Sequence, residues 1–482
     1  MEPVATNGLE SEPRRGWLDG ALLLLVLAAA LGLRTHDLAA RPMHADEANQ
    51  AVKLGQMLEG TGYRFDPHDH HGPTLYYFAW VPASLRGETT LAALTETTVR
   101  LVPALAGTAA VGLLAWLLIP LGRWPAFLAA LLLAVSPAAV YYSRYFIQET
   151  LLAAFTLGAF ACGHRWWRRG GLGWAAGAGL FFGLMLATKA SALVYAGAAL
   201  LALAACRRTG RASGREAFVA AGLALVVAAA FYASFGGNAA GLRDAVLTPG
   251  DMLGRVTGGG SGHEKPWWYY ARLFIWQRNG GYLWDQTLFA LPALVGVALA
   301  WRQGGLPRFL AGYTVAIALV LSLTPYKTPW QVVNLVPGLA ALAAVALARL
   351  PGRLGAFFAF VVALALVWQT RQAAFLRPAD ERNPFAYVHT APDMLKVPAL
   401  AAAAPAGPVK IVAREYWPLP WYLRGRPETG YWAEPPADCD GPLVFADAGQ
   451  ADAVRARLTG EYQESFLGLR PGVVLVVFAR RN

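Results

Sequence analysis

Charge is what this chain has least of. Only 15% of its 482 residues are Asp, Glu, Lys or Arg, where a soluble domain carries about 25%. With 56% hydrophobic residues and a mean hydropathy of +0.38, that shortage excludes an ordinary water-soluble protein. Cysteine is almost missing. Cys162 and Cys206 fall in apolar or juxtamembrane sequence and Cys439 stands alone near the C-terminus. A disulfide framework and a zinc-type spacing are both excluded. No Lys/Arg-rich run is interleaved with aromatics, so the net charge of +11 does not describe a nucleic-acid surface.

What is present is long apolar sequence. Eleven segments approach or reach the roughly 20 residues that cross a bilayer: 17–36, 99–120, 124–142, 149–167, 172–188, 190–206, 216–235, 284–302, 308–325, 330–349 and 353–373. Basic residues gather in alternate loops: Arg14/Arg15, Arg123, Arg165/Arg168/Arg169, Arg207/Arg208/Arg211/Arg215, Arg302/Arg308 and Arg349/Arg353. By the positive-inside rule that side is cytoplasmic. The first span reads as an uncleaved anchor, because its apolar run is long for a signal peptide and more spans follow. The expected fold is therefore a polytopic α-helical membrane protein of about eleven transmembrane helices. It would sit in the cytoplasmic (inner) membrane with its N-terminus inside.

The outer side carries different material. Residues 37–98 and 236–283 form long outer loops within a transmembrane domain of residues 1–375. Asp46 to Gly60 has helical spacing, with Ala48, Val52 and Met57 on one side, and Pro73 to Leu85 reads as an aromatic-rich surface helix. The first half of the second loop, with Gly258-Gly259-Gly260-Ser261-Gly262, is expected to be mobile. Its second half, Pro266-Trp267-Trp268-Tyr269-Tyr270, suits the interface. After residue 376 charge and proline rise and no span follows. Lys410–Ala413 and Val473–Phe478 read as short buried strands, and Asp452–Leu458 as a helix. Residues 376–482 are expected to form an extracytoplasmic α/β domain.

The chemistry-bearing residues share that outer side. Asp46-Glu47, in His44-Ala45-Asp46-Glu47, follow the first span. Two readings fit them: a general base or ligand-binding acid at a membrane-surface cavity, and first-turn acids of a helix. His68-Asp69-His70-His71-Gly72-Pro73 suits either a metal or a polar turn before a helix begun by Pro73. The spacing matches no defined site, so no metal or cofactor is expected, and His71 is a candidate ligand contact. Arg144 and Glu149, in Ser143-Arg144-Tyr145-Phe146-Ile147-Gln148-Glu149, either pair with each other or form an anion contact and a second carboxylate. Lys189 and Lys327 either snorkel or hold an anion where the positive-inside bias would not place cations. Cations beside carboxylates at headgroup level suit transfer from a lipid phosphate. The cations neutralise the leaving group and a carboxylate deprotonates or orients an acceptor hydroxyl. The spans leave no room for a soluble nucleotide-sugar domain.

In these motifs the chain resembles the GT-C superfamily of membrane glycosyltransferases, in its protein-mannosyltransferase-like branch. The residues that carry the likeness are Asp46-Glu47, Ser143-Arg144-Tyr145 with Gln148-Glu149, and Lys327-Thr328-Pro329-Trp330 before a span containing Pro337. It is more narrowly similar to a largely uncharacterised bacterial and archaeal family described as flippase-activity-associated. The cues are His71-Gly72-Pro73 with Tyr76-Tyr77, Asn383-Pro384-Phe385-Ala386-Tyr387 with His389-Thr390, and Glu415-Tyr416-Trp417-Pro418-Leu419-Pro420-Trp421-Tyr422. The resemblance implies a polyprenyl-phosphate-linked sugar as donor, an acceptor of unspecified kind and inversion at the anomeric carbon. It implies Asp46 as the acceptor-activating or acceptor-binding carboxylate, Glu47 in support and Glu149 as the second acid. His44, His71, Arg144, Lys189, Lys327 and Trp330 are then substrate contacts. The chain departs from the pattern in lacking a second Asp of a DxD type, which puts a metal-dependent mechanism in doubt. The alternative is a non-catalytic lipid-linked glycan transporter or flippase partner. A transporter needs a polar path through the bilayer, and few charges lie deep in these spans.

Overall fold

The apolar runs fold as helices because in a bilayer every backbone polar group must be satisfied within its own segment. A computed structural model of the chain describes residues 14–60, 62–67, 71–206, 210–257 and 262–481. Helix α1 (Arg14–Thr35) is followed by two helices in the first long loop, α2 (Ala45–Leu58) and α3 (Thr74–Leu85). Then come α4 (Glu96–Leu118), α5 (Arg123–Ala134), the short α6 (Pro137–Tyr142), α7 (Glu149–Arg169), α8 (Leu172–Leu186), α9 (Ala192–Ala204) and α10 (Gly214–Tyr232). The second long loop holds α11 (Ala240–Thr257), α12 (Tyr269–Arg272) and a hairpin of β1 (Gln277–Asn279) and β2 (Tyr282–Trp284). Helices α13 (Thr287–Gln303), α14 (Gly305–Leu323), α15 (Val336–Leu347) and α16 (Gly352–Thr370) complete the bundle. A 3-10 stretch, Pro329–Asn334, leads into α15, and a π-helical stretch, Arg371–Leu376, ends α16.

A helix lies at each expected span. Among the described residues, 5 helical stretches are long and apolar enough to cross a membrane, accompanied by shorter apolar helices such as α5, α8, α9 and α13. In the second loop α11 precedes Gly258–Ser261, which lie outside the described residues. One expectation is corrected: the third span is not one helix but two, α5 and α6.

Pro137 explains that break. It has no N–H for the carbonyl of Leu133, four residues back, so the helix cannot run on. Three carbonyls are freed and each finds a donor. The Arg34 guanidinium donates to Ala134 O at 2.9 Å and Leu133 O at 3.2 Å, and Thr370 Oγ1 donates to Val135 O at 2.7 Å. Room for Arg34 comes from Gly107 of α4, where a Cβ would fall 2.9 Å from Arg34 Nε and 2.1 Å from Ser143 Oγ. The result is a turn, residues 143–148, presented at the loop-rich end of the bundle.

The C-terminal region adds α17 (Val397–Ala403), β3 (Val409–Val412), α18 (Leu419–Tyr422), β4 (Thr429–Trp432), β5 (Leu443–Asp447), α19 (Ala451–Arg455), β6 (Tyr462–Arg470) and β7 (Val473–Arg480). The five strands form one mixed sheet in the order β4-β3-β5-β7-β6, with β3 parallel to both its neighbours and β5-β7-β6 antiparallel. One face, with Val412, Ala446 and Val476, is covered by Ala451 and Val454 of α19. The other face, with Val409, Ile411, Phe445 and Val477, joins the same apolar core as the helical bundle. Helix α18 docks on α2. Tyr422 Oη accepts the backbone N–H of Met43 at 2.8 Å, and Trp421 Nε1 donates to Glu96 at 2.6 Å.

Candidate functional site

Helix α2 begins with a capping box: His44 Nδ1 accepts the Asp46 N–H at 3.1 Å, while Glu47 accepts the His44 N–H at 3.0 Å. The other ring nitrogen of His44 lies 3.1 Å from Tyr387 O. A carbonyl only accepts, so Nε2 carries the proton and Nδ1 is left to cap the helix. Successive helical residues point about 100° apart, and the two acids separate accordingly. The Asp46 side chain is 52% exposed and 4.0 Å from His44 Nδ1.

Glu47 is fully buried. Its Oε1 accepts from Arg41 at 3.0 Å, Arg100 Nε at 2.9 Å and the Phe146 N–H at 2.9 Å. Its Oε2 accepts from Arg100 at 2.9 Å and the His44 N–H at 3.0 Å, with Arg41 2.8 Å away. The two guanidinium groups outweigh burial and hold this carboxyl far below the usual carboxylate range. No lone pair is left for an acceptor, so the geometry makes Glu47 an anchor rather than a reacting group. Arg41 also lies 3.5 Å above the Tyr145 ring and 2.9 Å from His389 Nε2. His389 Nδ1 faces Thr390 O at 3.0 Å, so Nε2 is the acceptor, and burial and then Arg41 keep this ring neutral.

Trp330 meets His44 edge-on at 5.8 Å and Tyr387 at 5.9 Å. Tyr387 Oη is 2.7 Å from His263 Nδ1, and Lys265 Nζ lies 5.6 Å over its ring. The 263–265 segment pairs with the turn before Trp330 through Lys327 N to His263 O at 3.0 Å and Lys265 N to Pro325 O at 3.1 Å. Lys327 is buried there, its ammonium donating to Thr324 O, and burial lowers its pKa. Asp46, His44 and Trp330 are thus neighbours, and Lys327 lies in the turn that leads to Trp330.

Glu149 and Lys189 form an ion pair with each other. Gly72 N donates to Thr188 O at 3.0 Å, and a Cβ on Gly72 would sit 2.2 Å from Ala187 O. Only glycine lets the His71 turn lie beside Lys189. Gln50, one turn along α2 from Asp46, accepts from Gln148 at 3.2 Å, which ties this second cluster to the first. Lys189→Met should strand the buried Glu149 carboxylate and cost about 3–5 kcal/mol. Lys189→Met with Glu149→Gln should recover more than half of that loss, as read by thermal unfolding of the solubilised protein.

Arg144 does not face this assembly and does not pair with Glu149. Its guanidinium donates to the carbonyls of Leu33 at 3.3 Å, Asp37 at 3.0 Å and His36, at the end of α1, and lies 4.7 Å over Phe375. Arg41, Arg100, Tyr387, His389 and His263 were not singled out as site residues from sequence. A lone Arg in the apolar run Val99-Arg100-Leu101 was the available signal. His68, Asp69 and His70 lie outside the described residues. Among the described residues no group of three metal-ligating side chains gathers.

A family model described as dolichyl-phosphate-mannose-protein mannosyltransferase matches residues 70–233. No curated protein sequence matches the chain significantly. Among solved structures, ArnT from Cupriavidus metallidurans in the apo state is 16% identical, with 97% of this chain and 98% of that chain covered and a TM-score of 0.68. The chain has the GT-C glycosyltransferase fold. The same ArnT bound to undecaprenyl phosphate matches at 17% identity, covering 96% of this chain and 98% of that chain, with a TM-score of 0.68. The oligosaccharyltransferase AglB from Archaeoglobus fulgidus, in complex with an inhibitory peptide and a dolichol-phosphate, is 12% identical. It covers 94% of this chain and 73% of that chain with a TM-score of 0.58. The chain thus shares the fold of these structures along almost its whole length, and its residues 70–233 match the protein-mannosyltransferase model.

Proposed function

We propose that this GT-C-type enzyme moves a sugar from a polyprenyl-phosphate donor to an acceptor at the outer face of the cytoplasmic membrane. The acceptor oxygen attacks the anomeric carbon, the bond from that carbon to the phosphate oxygen breaks, and the configuration inverts. The acceptor's proton passes to Asp46, and the polyprenyl phosphate leaves as an anion near Lys327 and Lys189. His44 and Trp330 frame the sugar, and His71 lies at the rim. One observation carries the choice of base. Of the three acids singled out, Glu47 is saturated and Glu149 is paired with Lys189, while Asp46 is half exposed. The lipid phosphates named in the ArnT and AglB structures support the donor class.

The transporter reading loses support from the buried cations. Arg34 and Arg100 are fully buried, but carbonyls hold the terminal nitrogens of Arg34, and carbonyls and Glu47 hold Arg100, so they do not line a polar path. Purified protein would be incubated with labelled polyprenyl-phosphate sugar, with and without envelope extract as acceptor. Label should leave the lipid only when acceptor is present. Label crossing a vesicle membrane with the sugar–phosphate bond intact would establish the flippase reading instead.

A further inference from the structure

Arg144 links the candidate site to a second feature. Its backbone carbonyl accepts from Arg41 at 2.8 Å, while its guanidinium lies over Phe375. Phe375 lines an open groove of about 510 Å³ with Gly32 and Leu33 of α1, His36 just beyond it, and Arg371 and Leu376 from the π-helical end of α16. Helix α6 packs against both α1 and α16 and underlies the gap between them. Further along the bundle, Leu24, Leu25, Leu364 and Trp368 of the same two helices are exposed and apolar, as a surface facing hydrocarbon must be.

The mouth of the groove is different. His36 and Arg371 are both exposed, and the His36 ring leans on Phe375 at 5.9 Å. The Arg371 side chain makes no hydrogen bond or ion pair among the described residues. The wide π turn, in which Arg377 N reaches back to Gln372 O at 3.0 Å, ends α16 beside α1, and such turns recur at functional sites. The adjacent acid, Asp37, interacts with Arg144. A guanidinium and an imidazole above apolar walls match an anionic lipid, whose phosphate seeks basic and hydrogen-bonding groups while its chains stay in the bilayer.

We infer that this groove binds an anionic glycerophospholipid of the surrounding leaflet. Its phosphate rests on Arg371 and His36 and an acyl chain lies between α1 and α16. The occupant is not the sugar donor. Carbonyls occupy the donors of Arg144, and Phe375 covers it, so a phosphate here is separated from Asp46 by Arg144, Arg41 and Glu47. Bound lipid would hold Phe375 against Arg144 and so brace the turn that carries Glu149. The inference does not depend on the transferase reading, because Asp46→Asn protein should bind the lipid equally well.

Native mass spectrometry of the full-length protein, titrated with phosphatidylglycerol or phosphatidylethanolamine, tests it. Wild type should retain phosphatidylglycerol preferentially. Arg371→Gln should weaken that retention about fivefold, the effect of one basic group near a membrane surface, and adding His36→Gln should weaken it further. A photoactivatable phosphatidylglycerol should also label the peptide containing residues 371–376 in wild type, a readout that needs no variant to fold. Equal retention of the two lipids, or labelling elsewhere only, overturns the inference. Displacement of phosphatidylglycerol from that peptide by undecaprenyl phosphate overturns the assignment to a bilayer phospholipid.

Discussion

Asp46→Asn should lower sugar transfer by about 10²–10⁴-fold, the range contributed by a positioned general base, while leaving the protein folded. The two halves of that expectation come from different atoms. Asp46 takes part in the helix cap through its backbone N–H, which His44 Nδ1 accepts. The carboxylate is not needed for that bond, so an isosteric amide keeps α2 in place. What the amide loses is the ability to take a proton from an acceptor hydroxyl. Thermal unfolding should therefore match wild type to within about 0.5 kcal/mol, as at surface positions away from special features, with lipid-donor binding retained. Transfer by Asp46→Asn at the wild-type rate would remove Asp46 from the mechanism.

Glu47→Gln should do the opposite and cost about 3–5 kcal/mol of stability, because it leaves Arg41 and Arg100 as buried cations without their counter-charge. The loss should appear as a much lower unfolding temperature and poor recovery from the membrane, with a smaller fall in turnover per folded molecule. Removing one arginine at the same time, as in Glu47→Gln with Arg100→Gln, should be less damaging than the sum of the two changes. The pH dependence has a definite sign. The folded pKa of Glu47 lies well below its ordinary 4.5. Its contribution is therefore fully present above about pH 4.5 and declines as the pH falls toward the folded value. In Glu47→Gln that part of the acid sensitivity should be missing.

The adjacent acids show how far sequence carries. Their position beyond the first span, and the likeness of the whole motif order to a known superfamily, were readable from one chain. The difference between them was not. It arises from Arg100, 53 positions away on another span, and from a backbone N–H at Phe146. Helices were legible because lipid enforces long apolar runs, whereas side-chain partners across the bundle leave no periodic trace. The broken third span was signalled by Ser136-Pro137, yet continuous hydrophobicity over 124–142 masked it. Strands β5 and β6 were missed for opposite reasons. Leu443–Asp447 is too short and uniformly buried to show alternation. Much of Tyr462–Arg470 is an exposed edge with little apolar pattern to read.

The contact between Tyr422 and Met43 has a consequence for how the molecule comes into being. The N-terminal end of α2 is held by Tyr422 and by Tyr387 O, groups that lie 379 and 343 positions further along the chain. During synthesis the first loop is made early and must wait, without these partners, until almost the whole polypeptide has followed. A nascent chain halted after α16 would contain Asp46, Glu149, Lys189 and Lys327 but not the residues that fix their frame. Competence for transfer should therefore arise late and at once, when Tyr387 and α18 reach the start of α2.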